Sequence, residues 1–183
     1  MLITVRELQI HRIDFEETYA PGAIDLGSEL HQTTALDTQG RAEVLEEHRG
    51  GRLGTISDIR MVGGLATDVE VACARCLEPV RTHIDRKFDL LYRPLGVDRK
   101  GDEAAIHEPD TEIGYYEGDG LQLEDVLREQ VLLAVPIKQV CNPACKGLCP
   151  QCGRNLNRES CDCAVPQSDA RWAALKDLKD KLK

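Results

Sequence analysis

"LGTISDIRMVGGLATDVEVACARCLEPVRTHIDRKFDLLYRP", residues 53–94, decides the fold. Val69 and Val71 alternate with polar residues before Cys73, and Val80, Thr82 and Ile84 do the same after Cys76. A period of two puts apolar side chains on one face of an extended chain, so the stretch predicts strand, turn, strand, with both cysteines at the turn. Phe88, Leu90 and Tyr92 extend the second strand with their side chains on one face. Gly63 and Gly64 interrupt the first and predict a turn or bulge between strands.

Upstream, residues 2–5 and 10–15 read as short strands, "YAPG" (19–22) as a turn and "LDTQGR" (36–41) as a hairpin. "RAEVLEEH" (41–48) fits a strand or a helix. Downstream, residues 96–120 are polar, acidic and rich in breakers. They predict a loop with at most one short strand around Ile113 to Tyr116.

Two helices follow from spacing. In "LQLEDVLREQVLLAVP" (121–136), Leu123, Val126, Leu127, Gln130, Val131 and Ala134 recur at helical intervals. Glu124 and Asp125 suit the first turn and Pro136 the exit. Ser168 is the expected N-cap of a terminal helix with a narrow stripe of Trp172, Leu175, Leu178 and Leu182. A basic amphipathic tail of this kind suits RNA, a membrane surface, another helix or a place on its own domain.

The 183 residues are 42% apolar and 30% charged, which fits one soluble domain with a small appendage. Aromatics make up only 4%, so Leu, Val, Ile and Ala must build the core. No apolar run approaches the roughly 20 residues that cross a bilayer, and the N-terminus is too charged for a signal peptide. A cytoplasmic protein is expected. The fold expectation is α+β: an antiparallel sheet, partly curled toward a barrel, with a packed helix (residues 1–140), then a zinc-ribbon-like module and terminal helix (141–183).

All eight cysteines fall in close pairs: Cys73 with Cys76, Cys141 with Cys145, Cys149 with Cys152, and Cys161 with Cys163. In a reducing compartment such pairs point to metal or redox chemistry rather than to disulfides. Four pairs supply the eight thiolates of two tetrahedral zinc sites. In "CPQCG" (149–153), Gly153 permits the tight turn of a metal knuckle and Pro150 stiffens it. "CDC" (161–163) returns two more sulfurs after a short loop, so Cys149, Cys152, Cys161 and Cys163 form one expected site. Cys73, Cys76, Cys141 and Cys145 form the other across a long gap, which loop entropy tolerates. Swapped pairing between the sites is the chief rival. A thiol oxidoreductase would want a low-pKa cysteine opening a helix, and neither Cys-x-x-Cys precedes one. A catalytic zinc would keep an open position and usually include His. No nucleophile-base pair, phosphate loop or small-molecule site is evident.

Residues 141–183 hold eight Lys or Arg against five Asp or Glu, formally +3, while the preceding 140 carry 15 against 27, or −12. Four thiolates and one Zn²⁺ leave a −2 unit, so net charge by itself makes no RNA site. Candidate RNA contacts are Lys146, Arg154, Arg158, Arg171, Lys176 and Lys179, provided they share a face.

The ordered set "VACARCLEPV", "FDLLYRP", "LEDVLREQVLLAVPIKQVC", "CKGLCPQCGRNLNRESCDC" and "DARWAALKDLK" resembles the YceD family, the large-subunit ribosomal RNA accumulation proteins, in a cysteine-rich form. The similarity runs from about residue 50 to the C-terminus. It implies a non-enzymatic ribosome-biogenesis factor whose partner is precursor large-subunit (23S) rRNA or an early large-subunit ribosomal protein. It also favours the pairing above, because some members keep the first cysteine pair while lacking the "CPQCG" and "CDC" cysteines. A protein adaptor without direct RNA binding and a thiol redox protein are the alternatives.

Overall fold

The computed structural model describes residues 1–49, 54–97 and 113–163. Its frame is a meander of three long strands, β4 (Leu36–Arg49), β5 (Gly54–Ala72) and β6 (Pro79–Pro94). Each pairs antiparallel with the next, from Arg49 opposite Gly54 to Ala72 opposite Pro79. β2 (Ile13–Tyr19) adds to β4, and β3 (Leu30–Gln32) pairs with the end of β5.

On the far edge β7 (Ile113–Tyr116) lies parallel to β6, so the sheet is mixed rather than purely antiparallel. Among the described residues the order β2-β4-β5-β6-β7 ends in two separate edges, so the expected curl does not close a barrel there. β7 adopts the one short strand expected in its region, and residues 98–112 of that predicted loop lie outside the described residues.

β5 presents Ile59, Met61, Leu65, Thr67 and Val69 to one buried face, and β6 adds Ile84, Phe88 and Tyr92. Against this face packs α2 (Leu123–Ala134), which buries Leu123, Val126, Leu127, Gln130 and Val131. Gln130 is the one polar member of that stripe, and its side-chain oxygen accepts from Arg86 Nε at 3.0 Å.

Three local expectations are corrected. Gly63 and Gly64 make no turn but lie within β5, where Gly63 faces Gly40 of β4. Likewise "LDTQGR" is no hairpin: it forms the first part of β4, and the ambiguous "RAEVLEEH" continues the same strand. The glycines serve cross-strand packing, because Phe15 stands opposite Gly40 and Phe88 opposite Gly63, with their rings over the bare Cα atoms. At the N-terminus, β1 (Leu2–Thr4) stops at a single helical turn, α1 (Val5–Leu8). Thr4 caps that turn, its Oγ1 accepting from Glu7 N–H at 3.2 Å, while β1 pairs with β8 (Gly120–Gln122).

Candidate metal centres

The β5–β6 hairpin carries the first knuckle. Cys73 N–H donates to Glu78 O at 2.8 Å and Leu77 N–H to Cys73 O at 2.9 Å, closing a tight loop around Cys73 and Cys76. The chain leaving α2 returns to this loop, where Ala74 N–H donates to Gln139 O at 2.8 Å. That return places Cys141 and Cys145 beside the knuckle. Cys73 Sγ lies 3.9 Å from Cys145 Sγ, and Cys76 Sγ lies 3.6 Å from Cys141 Sγ.

The second knuckle repeats the first. Gly153 N–H donates to Cys149 O at 2.9 Å, and Cys149 N–H donates to Arg154 O at 2.8 Å. Leu77 and Gly153, each directly after the second cysteine, both take a left-handed backbone, with φ of 61° and 71°. Around this turn the described pairing is one antiparallel bridge, Leu148 to Asn155. The zinc-ribbon-like expectation therefore rests on the knuckle and not on a strand pair.

The eight thiols gather as two groups of four, Cys73/Cys76/Cys141/Cys145 and Cys149/Cys152/Cys161/Cys163, with the ligand atoms of each group within 4.8 Å of one another. All eight are free. Four sulfurs about 2.3 Å from a tetrahedral zinc are about 3.8 Å apart, whereas a disulfide needs about 2.0 Å. The 3.6 and 3.9 Å separations match the metal geometry. Both groups could hold a metal ion, and an all-sulfur donor set fits zinc.

Backbone donors prepare one thiol in each group. Cys141 N–H at 3.4 Å, helped by Arg75 N–H at 3.5 Å, lowers the Cys73 pKa to about 6 against the opposing effect of burial. The amides of Cys152 and Gln151 bring Cys149 down to about 6 as well. Crowding acts in the other direction: the neighbouring sulfurs of Cys76 and Cys145 push Cys141 up to about 12, and Cys152 is the main group that does the same to Cys163. Four thiolates this close repel one another, and a cation among them removes the conflict.

Several supporting residues escaped the sequence reading. Arg75 sits between the first two cysteines and donates through one nitrogen to Pro143 O at 3.1 Å and Cys145 O at 2.9 Å, while its own carbonyl accepts from Leu148 N–H at 3.0 Å. Asn157 Nδ2 donates to Cys145 Sγ at 3.2 Å. Glu78 receives Asn155 Nδ2 at 3.1 Å and Arg158 at 2.9 Å. These bonds tie the two groups together. No spacing signal marks these residues, because their partners are 12 to 80 positions away.

Of the candidate RNA contacts, Lys146, Arg154 and Arg158 are exposed. Arg154 lies 3.6 Å from Glu159, and Arg158 is paired with Glu78, so neither presents a free charge. Arg171, Lys176 and Lys179 lie outside the described residues, as does the predicted terminal helix. Among the described residues, no helix is long and apolar enough to cross a membrane.

Comparison with known proteins agrees with the motif order. An uncharacterized protein of Mycobacterium tuberculosis is 31% identical over 165 residues, which covers 86% of this chain and 75% of that protein. The protein named large ribosomal RNA subunit accumulation protein YCED homolog 1, chloroplastic, of Zea mays is 30% identical over 168 residues, covering 77% of this chain and 55% of its own length. Its Arabidopsis thaliana namesake is 26% identical over 145 residues, covering 68% and 45%. This chain thus spans about half the length of the plant relatives. No solved structure matches it. The family model described as large ribosomal RNA subunit accumulation protein YceD matches residues 61–179, and the chain belongs to that family.

Proposed function

We propose that this protein is a cytoplasmic, non-enzymatic ribosome-biogenesis factor that supports accumulation of large-subunit rRNA. The family match over residues 61–179 carries this reading, supported by the names of the two plant relatives. Structural zinc fills both four-cysteine groups, with all eight cysteines as ligands, and holds the described part of the C-terminal module, residues 141–163, on the β5–β6 hairpin. A structural role fits because four thiols complete each tetrahedron and leave no open position for a substrate. The thiol redox alternative is weaker: both Cys-x-x-Cys pairs sit in knuckle turns, and α2, the longer of the described helices, opens on Leu123.

The test pairs two measurements. Protein isolated under reducing conditions should contain two zinc ions per chain. Cells lacking the chain should lose large-subunit rRNA relative to small-subunit rRNA, with recovery on re-expression. Unchanged rRNA levels would reject the biogenesis role, and metal-free, fully folded protein would reject structural zinc. In-cell crosslinking then separates direct contact with precursor rRNA from an adaptor acting through a ribosomal protein.

A further inference from the structure

The two knuckles differ at one matched position. After Cys152 the left-handed residue is Gly153, which adopts φ of 71° without steric conflict. After Cys76 it is Leu77, whose Cβ crowds its own backbone at φ of 61° and whose side chain is 64% exposed. Neither local geometry nor core burial accounts for a leucine there.

Leu77 is one of the residues lining a groove of about 960 Å³ between the β3–β5 edge and the chain leaving α2. Leu132, Val135 and the fully exposed Ile137 line the same groove. Scattered surface leucines are ordinary, but a contiguous apolar patch marks an interaction site. The lining also includes Glu29 and Glu70, neither of which has an ion-pair partner among the described residues, together with His31, which stands opposite Glu70 in the β3–β5 pair. Residues 1–140 as a whole carry a formal −12. An apolar surface edged with unpaired acid repels phosphate and attracts cations, so the groove is unsuited to RNA.

We propose that this groove docks a cationic, apolar-faced segment of a ribosomal protein, with Leu77 as the anchoring side chain. This rests on the biogenesis reading above, since proteins that bind rRNA carry Lys and Arg to offset its phosphates. The apolar side chains of the segment cover Leu77, Leu132 and Ile137, while its cations meet Glu29 and Glu70. An assembly factor with such a groove holds a basic segment away from nonspecific RNA until its rRNA site is presented.

The experiment titrates the full-length, zinc-loaded chain with purified large-subunit ribosomal proteins, one at a time, by calorimetry at low and high salt. At least one should bind with one-to-one stoichiometry and weaken as salt rises. Leu77→Gly should weaken that binding at least tenfold while keeping zinc content and circular dichroism, because glycine relieves the left-handed strain. Glu29→Gln with Glu70→Gln should weaken it and flatten the salt dependence. Binding that both variants leave unchanged, or no binding by any ribosomal protein, overturns the proposal. Trp172, the single tryptophan, reports the chain's own C-terminal segment as a rival occupant. A red shift of its emission in Leu77→Gly without any partner would assign the groove to that segment instead. Failure of the biogenesis reading appears separately, as normal rRNA levels in cells lacking the chain even where docking is measured.

Discussion

A Cβ on Gly40 would meet Phe15 Cζ and Val62 O, both at 2.6 Å, and one on Gly63 would meet Gln39 O at 2.7 Å. Two of these obstacles are backbone carbonyls held in the sheet, so a side chain cannot be accommodated by a rotamer change alone. Gly40→Ala should therefore destabilise the protein by about 1–3 kcal/mol, the usual range for overpacking, as a lowered denaturation midpoint with unchanged slope. Asn157 poses a different single-residue question. Its amide donates to Cys145 Sγ, and that charge-offsetting bond lowers the Cys145 pKa against burial, the largest opposing influence. Asn157→Ala should cost the first metal group about 10-fold or more in affinity, measured by competition with a chromogenic chelator. Spacing made the cysteines readable. It carried no information about Asn157, whose role exists only once residues 145 and 157 meet in space.

At the level of elements, the hairpin β5–β6 must be held rigid at both ends. At one end Asp58 and Arg93 form a buried bidentate pair, at 3.1 Å from Nε and 2.8 Å from Nη2, with Glu47 Oε2 3.3 Å away from the same guanidinium. Asp58→Ala removes the buried carboxylate of this group and leaves Arg93 to Glu47, so it should cost about 1–3 kcal/mol in chemical denaturation, the usual range for a lost buried hydrogen-bond partner. Toward the knuckle, Asp68 accepts from Arg81 and lies against His83 Nδ1, each at 2.7 Å. The hydrogen bonds from Arg81 and then His83 hold its carboxyl below the ordinary carboxylate range. A depressed native pKa contributes stability above the unfolded value, about pH 4, and that contribution disappears as pH falls through the native value. Acid unfolding monitored from about pH 5 downward should therefore show a shallower loss in Asp68→Asn than in the parent. The alternation of Val69, Val71, Val80, Thr82 and Ile84 predicted this hairpin, because period two survives wherever one sheet face is buried. The same reasoning misread Gly63, since a glycine admitting an aromatic ring has the same letter as a glycine making a turn.

Across the whole molecule, the first four-cysteine group joins positions 73 and 76 to 141 and 145, closing the chain over α2 and the β7 edge. A metal there cross-links distant segments, and its binding energy is folding energy for the parts that it holds. Removing metal with a strong chelator under reducing conditions should abolish hydrogen-exchange protection at Ala74, Leu148, Cys149 and Leu156, whose amides bond within and between the knuckles. Amides of the β4–β5–β6 ladder should remain protected, because Ile59, Met61, Leu65 and Phe88 are buried without help from the cysteines. Uniform loss across the ladder would instead make the metal a requirement for the entire sheet.

Short-range spacing was enough for the Cys-x-x-Cys hairpin, the amphipathic α2 and the four close cysteine pairs, because chain geometry converts such spacing directly into faces and turns. Which pairs meet, Cys73/Cys76 with Cys141/Cys145 and Cys149/Cys152 with Cys161/Cys163, is a matter of tertiary structure. The tertiary structure decided the parallel docking of β7, the aromatic covering of Gly40 and Gly63, and the service of Arg75, Glu78 and Asn157 to cysteines or turns elsewhere in the chain. It also placed the strained Leu77 on the same groove as Leu132 and Ile137. These depend on residues brought together by the closing of long loops. Loop closure costs entropy that grows only slowly with length, so local sequence cannot announce which distant segments will meet.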